Sequence, residues 1–444
     1  MDKDAEIIQS TEWIKEVFLR IGLRKGRRMR CPKCGSLETI CNGKRVIRPG
    51  SLDGHSQREV QKYRCRHCNR VFSLRVDKGK KYGFDFKVEL ARMHVEERLS
   101  YRVMSKRLME KFGLKITPYF LCTMVNEVAQ MSKSSIEIGD ELQPKWDGYI
   151  AVDDKYVNVC GERYLCLVAV DTTGDPVHIE LIEEPNQDAY DNFFRYLTEH
   201  IGYRVRAITT DLDPMLENAI KNVFSGKILH QKCIWHATEI VKRLIDFQKI
   251  KRNYLRLKRK YHSVSTSLED RKAFYHTTKE KLEQLKIELD TMEQEYTAKE
   301  NLITAVSNML QKKTGSSISA DLTSIKRHYK NQYPEVISFL VHNMDQLSTH
   351  TINHDIPKTN IMAESFNRQI QRRLKTIEAF QTFNSAFNYL NMIRNYIRFK
   401  PYTDCKGKRK YRNGKSPIEL CNVKLQTRDW TKNSINYPKL PTAD

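Results

Sequence analysis

Three carboxylates stand out by their setting: Asp153, Asp211 and Glu364. Asp153 follows the apolar run 149–152, and Asp211 ends a β-branched run just before a helical pattern led by Pro214. An acid left at the end of a buried strand is where α/β folds place their chemistry. Glu364 lies in TNIMAESFNRQIQRR, residues 359–373, where Arg368 and Arg372 follow at i+4 and i+8 and share its helical face. Hard oxygen ligands on three separate elements suit two magnesium (or manganese) ions clamping a phosphodiester, one activating water or a 3′-hydroxyl and the other stabilising the leaving oxygen. Each acid has a rival. Asp154 follows the same run as Asp153, Asp213 lies just past Asp211, and a salt-bridged surface helix would give the Glu364 pattern equally well. Asp171 ends another apolar run and reads as a buried structural or supporting acid.

A second group of ligand types is softer. Cys31-Pro-Lys-Cys34 and Cys65-Arg-His-Cys68 are two Cys-x-x-Cys turns, and such a pair can close one tetrahedral structural zinc site. The segment between them carries Arg45, Arg48, Arg58, Lys62 and Arg64 and reads as a basic excursion that contacts DNA; Cys41, His55 and His67 are expected to be spares. Further on, Cys233-Ile-Trp-His236 offers only two ligands, too few to complete a zinc site, so a packing role is expected, with metal binding as the alternative. Trp235 reads as core, with stacking on an unpaired base as the alternative.

The elements that must position these groups follow from periodicity. Residues 11–21 read as a helix, with Trp13, Val17 and Ile21 on one face. Residues 84–131 hold three helical patterns: Leu90 and Met93 mark the first, Met104, Leu108 and Phe112 the second, and Leu121, Met124, Val125 and Val128 the third. Ser100 and Thr117-Pro118 read as caps and Gly113 as a stop, the layout of a helix-turn-helix. From residue 139 the chain turns β-rich. Strands are expected at 149–152, 164–170, 178–182 and 205–209, with turns at Cys160-Gly161 and Thr173-Gly174 and a crossover helix at 188–200. These make a mixed sheet covered by helices, in which parallel first and fourth strands would bring Asp153 and Asp211 to one edge. Residues 249–350 show no strand. Leu282, Leu285, Leu289, Met292, Tyr296, Ile303, Val306 and Leu310 follow a heptad that predicts a helical hairpin or short coiled coil, inserted before Glu364. An aromatic-rich helix at 380–399 and a basic loop at 406–415 follow.

Charge supports a polyanionic partner. The net charge is +23, and residues 1–82 carry 21 Lys/Arg against 9 Asp/Glu, residues 139–200 carry 4 against 14, and residues 366–415 carry 13 against 2. Basic flanks around an acidic middle suit DNA held over a carboxylate site. Eleven cysteines, four of them in paired turns, argue against a disulfide framework and for a reducing, intracellular setting. No signal peptide or membrane-spanning run is read, so a soluble protein is expected.

The order Val152-Asp153-Asp154-Lys-Tyr, Thr209-Thr210-Asp211, Cys233-Ile-Trp-His236 and Thr359-Asn360 to Glu364-Ser-Phe-Asn-Arg resembles the DDE transposases of insertion sequences, especially the Mutator-like group. The tail Asn413-Gly-Lys-Ser-Pro417 with Trp430 is similar to their ends, and the likeness spans most of residues 140–430. It implies a ribonuclease-H-like catalytic domain whose catalytic, magnesium-binding acids are Asp153, Asp211 and Glu364, with Cys233 and His236 as a family marker. The expected organisation is a helix and zinc ribbon over 1–82, a helix-turn-helix over 83–135, a catalytic domain over 140–248 and 356–400 split by a helical insertion over 249–355, and a basic tail over 401–444. The implied activity is metal-dependent cleavage at terminal inverted repeats and strand transfer into target DNA, by a homodimer or larger oligomer acting in the cytoplasm on the nucleoid. The alternative is a non-catalytic DNA-binding regulator derived from such an enzyme.

Overall fold

The structure is a computed structural model and describes residues 30–47, 58–73, 82–270, 275–377 and 380–437. The expected helix at 11–21, Arg48, His55 and the side chain of Arg58 lie outside the described residues. The chain divides into two compact units, one of residues 1–131 with 436–444 and one of residues 132–435. Among the described residues no helix is long and apolar enough to cross a membrane.

The first unit begins with an antiparallel sheet of β1 (Thr39–Ile47), β2 (Arg58–Cys65) and β3 (Val71–Phe72) in that order. Its small core is Cys31, Cys65 and Phe72, with Tyr63 and Cys68 against it. Three helices follow: α1 (Phe84–Val95), α2 (Tyr101–Phe112) and α3 (Pro118–Gln130). Ser100 accepts the Val103 N–H and Thr117 the Phe120 N–H, each satisfying an orphan donor of a first turn. Gly113 ends α2 in the left-handed conformation at φ 63°, which a residue without Cβ adopts at no steric cost. Met104, Leu108, Leu121, Met124, Val125 and Val128 are fully buried, as their spacing predicts. Phe112 differs: it ends α2 and is 37% exposed.

The second unit opens with α4 (Ser135–Leu142), started by a Ser134/Glu137 capping box. Then come β4 (Tyr149–Val159), β5 (Glu162–Asp171), β6 (Pro176–Ile182), α5 (Gln187–Arg195) with a π turn at Tyr196–His200, β7 (Ala207–Thr210), α6 (Pro214–Phe224), β8 (Leu229–Lys232) and α7 (Ile234–Leu244). The sheet order is β6-β5-β4-β7-β8, antiparallel among the first three and parallel from β4 to β7 and β7 to β8. β4 is longer than its apolar run predicts. It runs on through Val159 and turns at Cys160 and Gly161, with φ 53° and 86°. Two successive positive φ values match the right-handed twist of the strands they join. One sheet face buries Ile150, Val152, Leu165 and Leu167 against Phe193, Phe194, Leu197 and Leu216 from α5, the π turn and α6.

Among the described residues of 247–347 the regular elements are all helices: α8 (Phe247–Asp270), α9 (Tyr275–Leu310), α10 (Gly315–Tyr329) and α11 (Pro334–Leu347). Helices α8 and α9 pair as a hairpin, with Tyr296 of α9 stacked on Phe247 and Tyr254 of α8. Val306, Leu310, Ile318 and Leu340 share a core with Ala237 and Val241 of α7, so the insertion is rooted in a helix of the sheet domain. The chain then returns to the sheet as α12 (Ile361–Leu374) and α13 (Phe383–Phe399).

A buried ion pair fastens α13 to the sheet. Arg398 and Asp175 are both fully enclosed, with Nε 2.7 Å from Oδ1, and Arg398 also donates to the carbonyls of Pro176 and Val177. Asp175 further accepts the Trp146 indole N–H. Removing one partner leaves a desolvated charge behind. Asp175→Ala is expected to lower unfolding stability by about 3 kcal/mol in urea titrations; a loss below about 1 kcal/mol would mean that the two carbonyls suffice to hold the guanidinium.

Candidate active site

Parallel pairing of β4 with β7 sets the geometry. Tyr149 faces Ala207, Ile150 faces Ile208 and Ala151 faces Thr209, so two residues on Asp153 comes level with Asp211. β7 stops at Thr210, leaving Asp211 at the carboxyl end of a fully buried strand. Asp153 does not end its strand; it sits mid-way along β4, where β5 continues alongside it, paired at Val168. Neighbours on a strand point to opposite faces, yet carboxylate oxygens of Asp153, Asp154 and Asp211 lie within 4.8 Å of one another. Asp211, beyond the last residue of β7, is the acid reachable from both faces.

The rival acids now separate by what they touch. Asp213 is the N-cap of α6 and accepts the Met215 N–H at 2.7 Å, while its own N–H donates to Asp211 Oδ1 at 3.1 Å. Asp171 is fully buried, accepting from the Tyr203 hydroxyl at 2.6 Å and from the Thr173 N–H and hydroxyl. It is a structural acid.

Glu364 lies in the first turn of α12, whose fully buried Ala363 and Ile370 fix its rotation. It is not one of the three acids above. It groups with Cys233 and His236, again with ligand atoms within 4.8 Å of one another, and His236 Nε2 is 3.9 Å from Glu364 Oε1. Arg368 and Arg372 are exposed further along α12. Cys233 is fully buried at the start of α7, whereas Trp235 is 52% exposed rather than core.

Two residues that the sequence shows in the Glu364 motif without assigning them a role complete the arrangement. Asn360 Nδ2 donates to Asp153 Oδ1 at 3.2 Å, and Asn367 Nδ2 donates to Asp153 Oδ2 at 2.7 Å and to the Asp154 carbonyl at 3.3 Å. Both asparagines are buried. Their spacing around Glu364, at i−4 and i+3, is the signal that could have found them, since it puts all three on one helical face.

Packing several carboxyls into a buried site raises their proton affinity. Burial pushes Asp153 up to about 7, opposed by the Asn367 hydrogen bond and reinforced by Asp211, Asp154 and Glu364. Asp154 rises to about 6 through burial and the charges of Asp211 and Asp213. Asp211 is also raised, chiefly by burial, with the Asp213 N–H and His236 pulling the other way. Such a set of hard, mutually repelling oxygens fits a divalent cation of the magnesium class.

In the first unit the Cys31 and Cys68 sulfurs are 3.5 Å apart, Cys34 and Cys65 are 3.6 Å apart, and all four lie within 4.8 Å. Disulfides would need about 2.05 Å, whereas four sulfurs about 2.3 Å from one zinc stand about 3.8 Å apart. The cluster therefore fits a tetrahedral zinc. Cys41 is exposed and outside it. Of the basic residues, Arg45 and Arg64 are exposed and Lys62 is half-buried.

Residues 148–281 match the family model described as a DDE domain, of the IS240 transposase type. The match includes Asp153, Asp211, Cys233 and His236 and ends within the helical insertion, before Glu364. No curated protein matches the chain. Among solved structures, the Drosophila P element transposase strand transfer complex is similar at a TM-score of 0.39 and 11% identity, over 70% of this chain and 91% of that one.

The raised acids make stability depend on pH. A carboxyl whose folded pKa exceeds its unfolded value, about 4, costs the fold stability as pH climbs from that value through the folded pKa. With Asp153 at about 7 and Asp154 at about 6, stability without divalent cations falls over that window. Asp153→Asn removes one contribution, so its melting temperature is expected to exceed wild type at about pH 8 and to converge with it near about pH 4. A variant less stable than wild type at about pH 8 would show that the hydrogen bonds from Asn360 and Asn367 to the carboxylate outweigh its repulsion.

Proposed function

We propose that the chain is a DNA transposase that cleaves the ends of a mobile element and joins them to target DNA. The observation that carries this reading is the convergence of Asp153 and Asp211 from adjacent parallel strands within a segment that matches a DDE domain, with Glu364 brought close by from beyond that segment. The narrower Mutator-like assignment rests on the Cys233 and His236 pair and the helical insertion, and the mixed sheet is read as ribonuclease-H-like.

Asp153, Asp211 and Glu364, with Asp154 beside them, would hold two magnesium or manganese ions. When bound, such ions supply charge stabilisation to a phosphodiester and lower the pKa of an attacking hydroxyl. The chain's own residues do the rest. Asn360 and Asn367 fix both oxygens of Asp153, so the carboxylate meets its ligand in one orientation without reorganising. Arg368 and Arg372 continue the Glu364 face outward and can take phosphate oxygens on either side of the reacting bond. The first unit is the DNA-binding part, with the four cysteines as a zinc ribbon, α1–α3 as a helix-turn-helix, and Arg45, Lys62 and Arg64 as phosphate contacts.

Asp153→Asn, Asp211→Asn and Glu364→Gln are each expected to lower magnesium-dependent cleavage of the element's ends by about a thousandfold while leaving DNA affinity within about twofold. Full cleavage by all three would overturn the assignment. Loss of nothing on truncation after α3 would favour the non-catalytic regulator instead. The affinity of the whole chain for DNA is expected to fall by roughly a thousandfold between about 50 and 200 mM salt, because phosphate contacts release counterions. A flat response would remove the basic surface from the account.

A further inference from the structure

We propose that Cys233, His236 and Glu364 form a second metal site, selective for zinc-class cations, whose occupation withdraws Glu364 from the carboxylates of Asp153 and Asp211. Two residues of the Cys-Ile-Trp-His motif cannot hold zinc by themselves, but α12 supplies the missing ligand. A sulfur, a ring nitrogen and a carboxylate oxygen lie within 4.8 Å of one another. Donors about 2.0–2.3 Å from a tetrahedral zinc are about 3.3–3.8 Å apart, so the His236 to Glu364 separation of 3.9 Å needs little adjustment. Three protein ligands with an open fourth position is an established zinc arrangement.

The state of the histidine points the same way. His236 Nδ1 is buried with no hydrogen-bond partner, and Nε2 stands beyond hydrogen-bond distance of Glu364. The ring is 29% exposed, and Nε2 is the nitrogen on the Glu364 side, so it is the atom that a cation between the two would engage. Burial pushes the Cys233 thiol up, but the N–H groups of His236, Asn360 and Trp235 pull it back, and these are the donors that would hold a thiolate. Ligand softness divides the two sites: thiolate and imidazole select zinc, whereas an all-carboxylate set suits magnesium. Glu364 is the shared ligand, so zinc at one site competes with the use of that carboxylate at the other.

The inhibitory half rests on the function proposed above; the binding half does not. Full-length protein dialysed against zinc is expected to retain two ions per chain, against one for Cys233→Ser, one for His236→Asn and one for the Cys31→Ser/Cys34→Ser double variant. Cobalt substitution should give a thiolate charge-transfer band that persists in the double variant and is lost when Cys233→Ser is added to it. Wild type retaining a single zinc, or the double variant retaining none, would overturn the site. In magnesium-dependent cleavage, the zinc concentration that halves each protein's own rate should rise about tenfold in His236→Asn, a difference of about 1.4 kcal/mol in binding. Stoichiometric zinc without inhibition would overturn the competition alone, and zinc binding by a chain that cleaves no DNA would overturn the proposed function while leaving the site standing.

Discussion

Crowded negative charge is the constraint around which the second unit is built. Asp153, Asp154 and Asp211 share a few ångströms of half-enclosed space, and two of them are driven up to about 7 and 6. Nothing in a hydrophobic core would bring these groups together. What does so is backbone pairing: β4 and β7 run parallel in a register that puts Asp153 and Asp211 level, and the apolar residues around them bury that pairing from the α5 and α6 side. The opposition is therefore between strand pairing, which is cooperative and extensive, and a local repulsion that a cation would relieve.

The opposite face of β4 is handled by polar residues. Asn360 and Asn367 reach Asp153 from α12, and the same helix carries Glu364 between them. One helix thus supplies an acid and the two amides that orient another acid. Its rotation is set by Ala363, Phe366 and Ile370, all buried, so the polar face is positioned by apolar packing. Further along the chain, Arg398 and Asp175 lock α13 to β6, closing the sheet on that side.

How much of this could be read beforehand depended on the kind of signal. Helices α2 and α3 were legible because Ser100, Gly113, Thr117 and Pro118 are local punctuation whose physics acts within a turn. The strands are legible as apolar runs, but the run predicts a shorter β4, because Asp153, Asp154 and Lys155 interrupt it although 156–159 still alternates in burial. The choice between Asp211 and Asp213 turned on a cap, and the Asp-Pro step at 213–214 already held that information. Asp153 and Asp154 are different. Both sit near Asp211, and only the fold shows which one the asparagines hold. Asn360 and Asn367 are visible only as letters of the Glu364 motif, without a role, because an asparagine in a helix looks like surface until something buried is found to need it. Glu364 is legible as an acid on a helical face, yet the ligand-type residues it groups with, Cys233 and His236, lie more than a hundred residues earlier in the chain.

Helix α7 has one further consequence. Its first turn carries Cys233 and His236 beside Glu364, while Ala237 and Val241 are part of the core of the inserted helices, and Leu212, next to Asp211, packs against that same core. The insertion is thus mechanically in series with the acids: its packing sets where α7 begins and how Asp211 is presented. A force applied to the helical hairpin, by a bound polymer or a second chain, would be delivered one residue away from Asp211. These helices are in this sense a handle on the site.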